Sequence, residues 1–334
     1  MLRPFAVCIN FAAIFIVPKL LGAELFVEFN TPIISAAILT SIMTLGENQR
    51  ILTDKNRNYH FYLFPLLVAP FLLNNLLLII LCIPFHLVNN FLNGIMVKTG
   101  NHFYYDLLLI TRAILYILIP LSGIYLELYY IILLIFSILF YLKIKRSTKY
   151  EIKIVFFNKR IFDVMSVYSI FQSQFVNLLF ISAKTESLKF GYIIIQKIFS
   201  LFSNVKSILY SPYENKIKQN FKIIFIPIGV ILTTFSLSFI PLIKEYFNFF
   251  LIKIIDYNLN YNFYLCIRML AFISLIRGII DTLYVFKEPK FIYFSITSTI
   301  IGLIAVIYLS PILIILIILI DIILTWKIQR KYYS

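Results

Sequence analysis

Six side chains in this sequence have the chemistry to hold a polar or anionic ligand: Arg112, Lys197, Arg268, Arg277, Gln174 and Asn177. Each lies inside a long apolar stretch. An ionisable group there has lost its water, and it persists only with a partner or a ligand. Arg112 falls near the middle of the fifth expected helix, where it either faces a cavity and binds an anion or pairs with an acid on another helix. Arg277 and Asp281 are spaced i, i+4, so on a helix they share a face and can neutralise each other. Arg268 lies nine residues before Arg277, which is about 180° around a straight helix. Both line one cavity only if the helix bends, as Gly278 would allow. Lys197 lies deeper in its stretch than Lys206, which reaches the headgroups by snorkelling. Lys197 therefore serves either a cavity or a structural partner. Gln174 and Asn177 share a face that suits a hydroxyl-rich ligand, although bonding to a neighbouring helix is the simpler role for membrane amides. Asp163 and Asp321, near the ends of their stretches, fit an interfacial position, and proton coupling is the other role open to them.

The chemistry that is missing narrows the class. There is no Ser/His/Asp or Cys/His arrangement, no phosphate-cradling Gly-rich loop and no Asp-x-Asp pair in a loop. Cys8, Cys82 and Cys266 are far apart inside apolar stretches, and His60, His86 and His102 lack metal-ligand spacing. No acid, base or metal set can be assembled, so the expectation is a protein that is not an enzyme and carries neither cofactor nor metal.

The elements that must position these residues are helices crossing a lipid bilayer. Hydrophobic residues make up 61% of the 334 positions and charged residues 13%, against about 25% charged in a soluble domain. Mean hydropathy is +0.92. The apolar stretches are long enough to cross ~30 Å of hydrocarbon as helices, and they lack the alternation of membrane β-strands. A net charge of +15 does not indicate nucleic-acid binding, because the basic residues sit in short loops between apolar stretches.

The clear stretches are Phe5–Ala23, Val27–Leu45, Phe61–Val97, Phe103–Leu142, Phe162–Ser182, Phe190–Tyr210, Phe221–Ile243, Asn262–Phe286, Phe291–Leu309 and Pro311–Trp326. Phe103–Leu142 carries Pro120, Ser122 and Gly123 at its middle and reads as a helical hairpin. Phe61–Val97 fits either one long tilted helix with an interfacial tail or two short helices turning near Cys82–Pro84. Charge decides its reading. The clusters Arg50/Lys55/Arg57, Lys143–Arg160, Lys216/Lys218/Lys222, Lys287/Lys290 and Lys327/Arg330/Lys331 all belong on the cytoplasmic side. An even number of crossings must then separate the first two clusters, and splitting both long stretches gives about twelve helices in all. The expected fold is an all-α, multi-pass membrane protein with both termini cytoplasmic. Its plan is a six-helix bundle over residues 1–142, a basic cytoplasmic linker over 143–161 and a second six-helix bundle over 162–334 around a central cavity. Tyr246–Ile255 reads as an outer, interfacial segment.

Three stretches carry a resemblance. Asn10–Arg50 has an apolar helix, Pro18, Leu21-Gly22, a short turn Glu24-Leu25-Phe26, a second helix, Leu45-Gly46 and Arg50. Phe91–Leu118 has Gly94, Lys98 and Gly100 before a helix bearing Arg112, and Thr185–Tyr213 has Ser187, Gly191 and Tyr192 before a helix followed by Pro212. In order and spacing these segments resemble Wzx-like polysaccharide-biosynthesis flippases of the multidrug/oligosaccharidyl-lipid/polysaccharide exporter superfamily. The chain is shorter than is usual for that family, and the compression falls in helices three and four. The resemblance implies a carrier of the bacterial inner membrane that moves an undecaprenyl-pyrophosphate-linked oligosaccharide outward for surface polysaccharide or O-antigen synthesis. On that reading Arg112, Lys197 and Arg268 or Arg277 bind the diphosphate, while Gln174 and Asn177 bind sugar. The implied partners are the lipid-linked oligosaccharide, membrane lipids, a polysaccharide polymerase and a chain-length regulator. The alternatives are a membrane enzyme of the same pathway, such as a polymerase or a glycosyl- or acyltransferase, and a multidrug or small-solute exporter of the same superfamily.

Overall fold

The computed structural model describes residues 2–44, 47, 58–67, 75–99, 103–147 and 150–156, and isolated helical residues at 177, 186, 189–194, 197, 241–242, 245–246, 248–249 and 252. The chain forms two compact units, Met1–Ile181 and Ser182–Ser334. In the first unit the described elements run in the order α1 (Leu2–Thr44), β1 (Asn58–Tyr62), α2 (Leu76–Thr99), α3 (Phe103–Ser122), α4 (Glu127–Ser147) and β2 (Glu151–Val155). All four helices are long and apolar enough to cross a membrane. They also carry large apolar side chains outward, including Phe11, Leu20, Leu118 and Leu139. Inside, they bury polar groups such as Asn30, Thr40 and Ser137. A water-soluble protein would pattern these the other way round, and the chain is membrane-embedded.

Element α1 is 43 residues long, about twice what one crossing needs. The excess is resolved at Gly22, whose φ of 74° and ψ of 171° are non-helical and open essentially to glycine alone. Packing against α3 shows that the chain reverses there. Ala6 packs with Leu109 and Ile110, and Asn30 is bonded by Tyr116. On a straight helix Ala6 and Asn30 would be ~36 Å apart, whereas Leu109 and Tyr116 are separated by only ~10 Å of α3. Element α1 is thus two helical segments, before and after Gly22, joined by a tight bend.

The hairpin expected in Phe103–Leu142 is present. Helix α3 stops at Ser122, Gly123 takes a φ of 65°, and α4 starts at Glu127. The turn expected near Cys82–Pro84 is not. Helix α2 runs unbroken through Pro84, because a membrane helix tolerates the one backbone bond a proline removes. The break lies earlier, at Asn75, which takes a φ of 58° and whose carbonyl accepts the amide of Ile79 as α2 begins.

The fold also departs from all-α. Strands β1 and β2 pair in parallel, in the register Asn58↔Glu151 through Tyr62↔Val155, extended by Leu63 N–H to Val155 O (3.0 Å) and Phe64 N–H to Phe156 O (3.2 Å). A two-stranded sheet is marginal alone. Here Tyr59 and Tyr62 are fully buried, with Tyr59 edge-on to Phe91 of α2 at 5.5 Å. Phe91 in turn meets Tyr141 of α4 at 6.4 Å. The C-terminal ends of α1, α2 and α4 therefore gather at one end of the bundle with the sheet. The Gly22 bend and the Gly123 turn lie at the other. The β1–β2 pairing brings the segment after Arg50/Lys55/Arg57 and the segment after Lys143/Lys145/Arg146 to the same end of the unit. Of the remaining helices of the twelve-helix plan, only scattered helical residues are among the described ones.

In the second unit, residues 189–194 are helical with Phe190, Tyr192, Ile193 and Ile194 buried. Leu242 is helical and exposed, as are Tyr246, Phe249 and Ile252 of the segment read as interfacial.

Candidate functional site

Arg112 is the one predicted site residue whose surroundings are described in detail. Helix α3 places Arg112 and Tyr116 on one face at i, i+4. Helix α2 turns Cys82, Phe85 and His86 towards them, at i, i+3 and i+4. From α1 come Phe29 and Asn30, and from α4 come Tyr129 and Tyr130. The guanidinium carbon of Arg112 stands 5.3 Å from the centroid of the Phe85 ring. A cation over an aromatic face gains about 0.5–2 kcal/mol, more as water is excluded. The same guanidinium lies within electrostatic reach of Cys82, His86, Tyr116 and Tyr129. Among the described residues, no carboxylate lies within ion-pair distance of it.

The aromatic shell is tightly built. Phe29 stacks on Tyr116 at 5.3 Å and meets Tyr129 edge-on at 5.1 Å. Tyr116 and Tyr129 are edge-on at 5.9 Å, and Tyr129 and Tyr130 at 5.6 Å. Two hydroxyls fix this packing to α1. Tyr116 donates to Asn30 Oδ1 at 2.8 Å, and Tyr130 donates to the Phe29 carbonyl at 2.7 Å. Asn30 Nδ2 then donates to the Phe26 carbonyl at 2.7 Å. Two buried polar atoms lie beside Arg112, the Tyr129 hydroxyl and His86 Nε2, and among the described residues His86 Nε2 has no hydrogen-bond partner. The Tyr129 hydroxyl lies within interaction reach of the guanidinium. A buried group left unpaired costs about 1–3 kcal/mol. The arrangement is a cation with aromatic walls and neighbouring polar atoms, suited to an anion carrying polar substituents.

A second polar cluster closes the sheet end. Glu47 is buried and accepts from His60 N–H at 3.0 Å and Tyr62 O–H at 3.5 Å, with His60 Nδ1 at 3.2 Å. These contacts tie the end of α1 to β1. Tyr59 lies beside the Thr44 hydroxyl, and burial raises its phenol well above the ordinary tyrosine range. The ties are structural, because Glu47 is enclosed and holds one side of the sheet.

Of the other predicted residues, Asn177 is a buried helical residue of the first unit and Lys197 a half-buried helical residue of the second. Gln174, Arg268 and Arg277 lie outside the described residues. Phe85, His86, Tyr116, Tyr129 and Asn30 escape a sequence reading, since aromatic residues in an apolar stretch look like core and His86 has no ligand spacing. Among the described residues no group of His, Cys, Asp and Glu could hold a metal. Comparison with protein-family models, with curated proteins and with solved structures returns no match to this chain.

Proposed function

We propose that this protein is a flippase that carries a diphosphate-linked oligosaccharide lipid across the bacterial inner membrane by alternating access. The observation that supports this reading most is Arg112, a cation on a membrane helix, walled by Phe85, Tyr116 and Tyr129 and with no acid beside it among the described residues. A polar headgroup cannot cross hydrocarbon unaided, since each unpartnered polar group costs several kcal/mol. An inward guanidinium offsets the diphosphate charge, and the neighbouring hydroxyls and ring faces suit sugar. Lys197, Arg268 and Arg277 would add charge, and Gln174 and Asn177 would add amide bonds to sugar. Two six-helix bundles would rock about this site, with both termini cytoplasmic. The excess of cations at the sheet end of the first unit suits a cytoplasmic position for that end.

The test is Arg112→Gln in the native host, with the amount of protein in the membrane measured alongside surface polysaccharide. The expected result is loss of surface polysaccharide at an unchanged membrane level, with partial return in Arg112→Lys. Normal polysaccharide in Arg112→Gln overturns the reading.

A further inference from the structure

The strand that follows α4 ends in exposed apolar residues next to a helix with an outward apolar stripe. The register pairs Tyr59 with Ile152 and Phe61 with Ile154, so these four residues share one face of the sheet, and Phe156 continues the alternation. On the β1 half this face is turned to the helices. Tyr59 is 0% exposed against Phe91 and Phe61 is 5% exposed. On the β2 half Ile152 is half-buried, while Ile154 is 67% and Phe156 60% exposed. Helix α4 supplies the context. Its outward apolar stripe runs through Ile131, Ile135, Ile138, Leu139 and Leu142. At the same i+3 and i+4 steps the stripe passes into exposed Lys143, Lys145 and Arg146. A helix face that changes from apolar to cationic within one turn marks the level of the lipid headgroups.

We propose that this end of the protein is a docking site for anionic membrane lipid. Lys143, Lys145 and Arg146 bind the headgroups, and Ile154 and Phe156 dip into the boundary between headgroups and acyl chains. The occupant follows from charge and from continuity with the lipid-facing stripe. Three exposed cations stand together in the last turns of α4, and the nearest described acid beyond them is Glu151, on the opposite face of the sheet from Ile154 and Phe156. The site depends on the membrane embedding of α4 and is independent of what the protein transports.

The experiment uses the full chain with Phe156→Trp in a Trp326→Phe background, so that one tryptophan reports. It is reconstituted into vesicles of phosphatidylcholine, or of phosphatidylcholine mixed with phosphatidylglycerol, one lipid at a time carrying bromine on its acyl chains. Each cation near an anionic surface contributes about fivefold in preference before screening. The expected result is blue-shifted emission, quenched severalfold more per molecule by brominated phosphatidylglycerol than by brominated phosphatidylcholine. That preference should vanish in Lys143→Gln/Lys145→Gln/Arg146→Gln while quenching itself persists. Water-like emission that neither lipid quenches overturns the proposal, as does equal quenching by both. Blue-shifted but unquenched emission with a doubled particle mass overturns it in favour of a second copy of the chain. If the tryptophan variant does not fold, the unmodified chain is melted in detergent with either lipid added. A larger rise in Tm with phosphatidylglycerol supports the proposal, and an equal rise or none overturns it.

Discussion

Replacing Tyr116 by Phe removes one oxygen from the centre of the first bundle and leaves the ring in place. The ring keeps its stacking on Phe29 at 5.3 Å and its edge contact with Tyr129 at 5.9 Å. What is lost is the 2.8 Å bond to Asn30 Oδ1, between residues only 2% and 1% exposed. No water reaches Asn30 to replace the donor, although its Nδ2 stays bonded to the Phe26 carbonyl. A net hydrogen bond is worth about 1 kcal/mol, and an abandoned buried acceptor adds a further cost. Polar couplings between membrane helices run lower, about 0.6 kcal/mol and at most about 1.7, because the unfolded helices find other partners. Tyr116→Phe should therefore destabilise by about 1–2 kcal/mol. In a double-mutant cycle with Asn30→Leu the coupling should be about 0.6–1.7 kcal/mol. The assay is reversible unfolding in mixed micelles, followed by circular dichroism. A coupling below about 0.3 kcal/mol, the usual scatter of additive mutations, would mean that the Tyr116–Asn30 contact does not join α3 to α1.

Other perturbations probe the remaining joints. Gly22→Ala should cost about 1–3 kcal/mol purely through backbone conformation, since a Cβ there meets nothing within 4 Å; unfolding in micelles measures it, and an unchanged midpoint would remove the bend between the two helical segments. Glu47→Ala leaves the His60 amide and Tyr62 hydroxyl without their acceptor and should destabilise the sheet by about 2–3 kcal/mol, read as faster hydrogen exchange at the amides of residues 58–62. The raised Tyr59 phenol binds its proton more tightly folded than unfolded. Its contribution to stability is full below about pH 10, the ordinary tyrosine value, and is lost as pH rises further. Tyr59→Phe should flatten the alkaline limb of a stability-versus-pH curve, and an identical limb would contradict the burial of that phenol.

The sequence makes the membrane helices legible because hydrophobic length is a local property. Pro120 and Gly123 announce the α3–α4 turn, and Leu21-Gly22 marks the bend in α1. Pro84 misleads, because a proline that would end a soluble helix is absorbed inside a membrane one, while the actual break at Asn75 rests on a single asparagine in a left-handed conformation. The sheet is hidden for a different reason. Asn58–Tyr62 merges into the apolar stretch that follows, Glu151–Val155 is masked by the surrounding lysines, and their pairing is a long-range event that no local pattern encodes. At the site, Arg112 stands out because charge inside an apolar stretch is rare. Its neighbours do not, since Phe85, Tyr116 and Tyr129 differ from ordinary core residues only in which helix they face. That is settled by packing between α2, α3 and α4, and Asn30 becomes visible as their anchor only once Tyr116 is seen to bond it.

The most direct test of transport is made with the purified chain in sealed vesicles containing an undecaprenyl-pyrophosphate-linked oligosaccharide. Movement of the sugar to the opposite leaflet is followed by its accessibility to an added glycosidase. Wild type should equilibrate the lipid between leaflets and Arg112→Gln should not, although both are inserted equally. No movement with the wild-type chain, or equal movement with Arg112→Gln, would contradict the account.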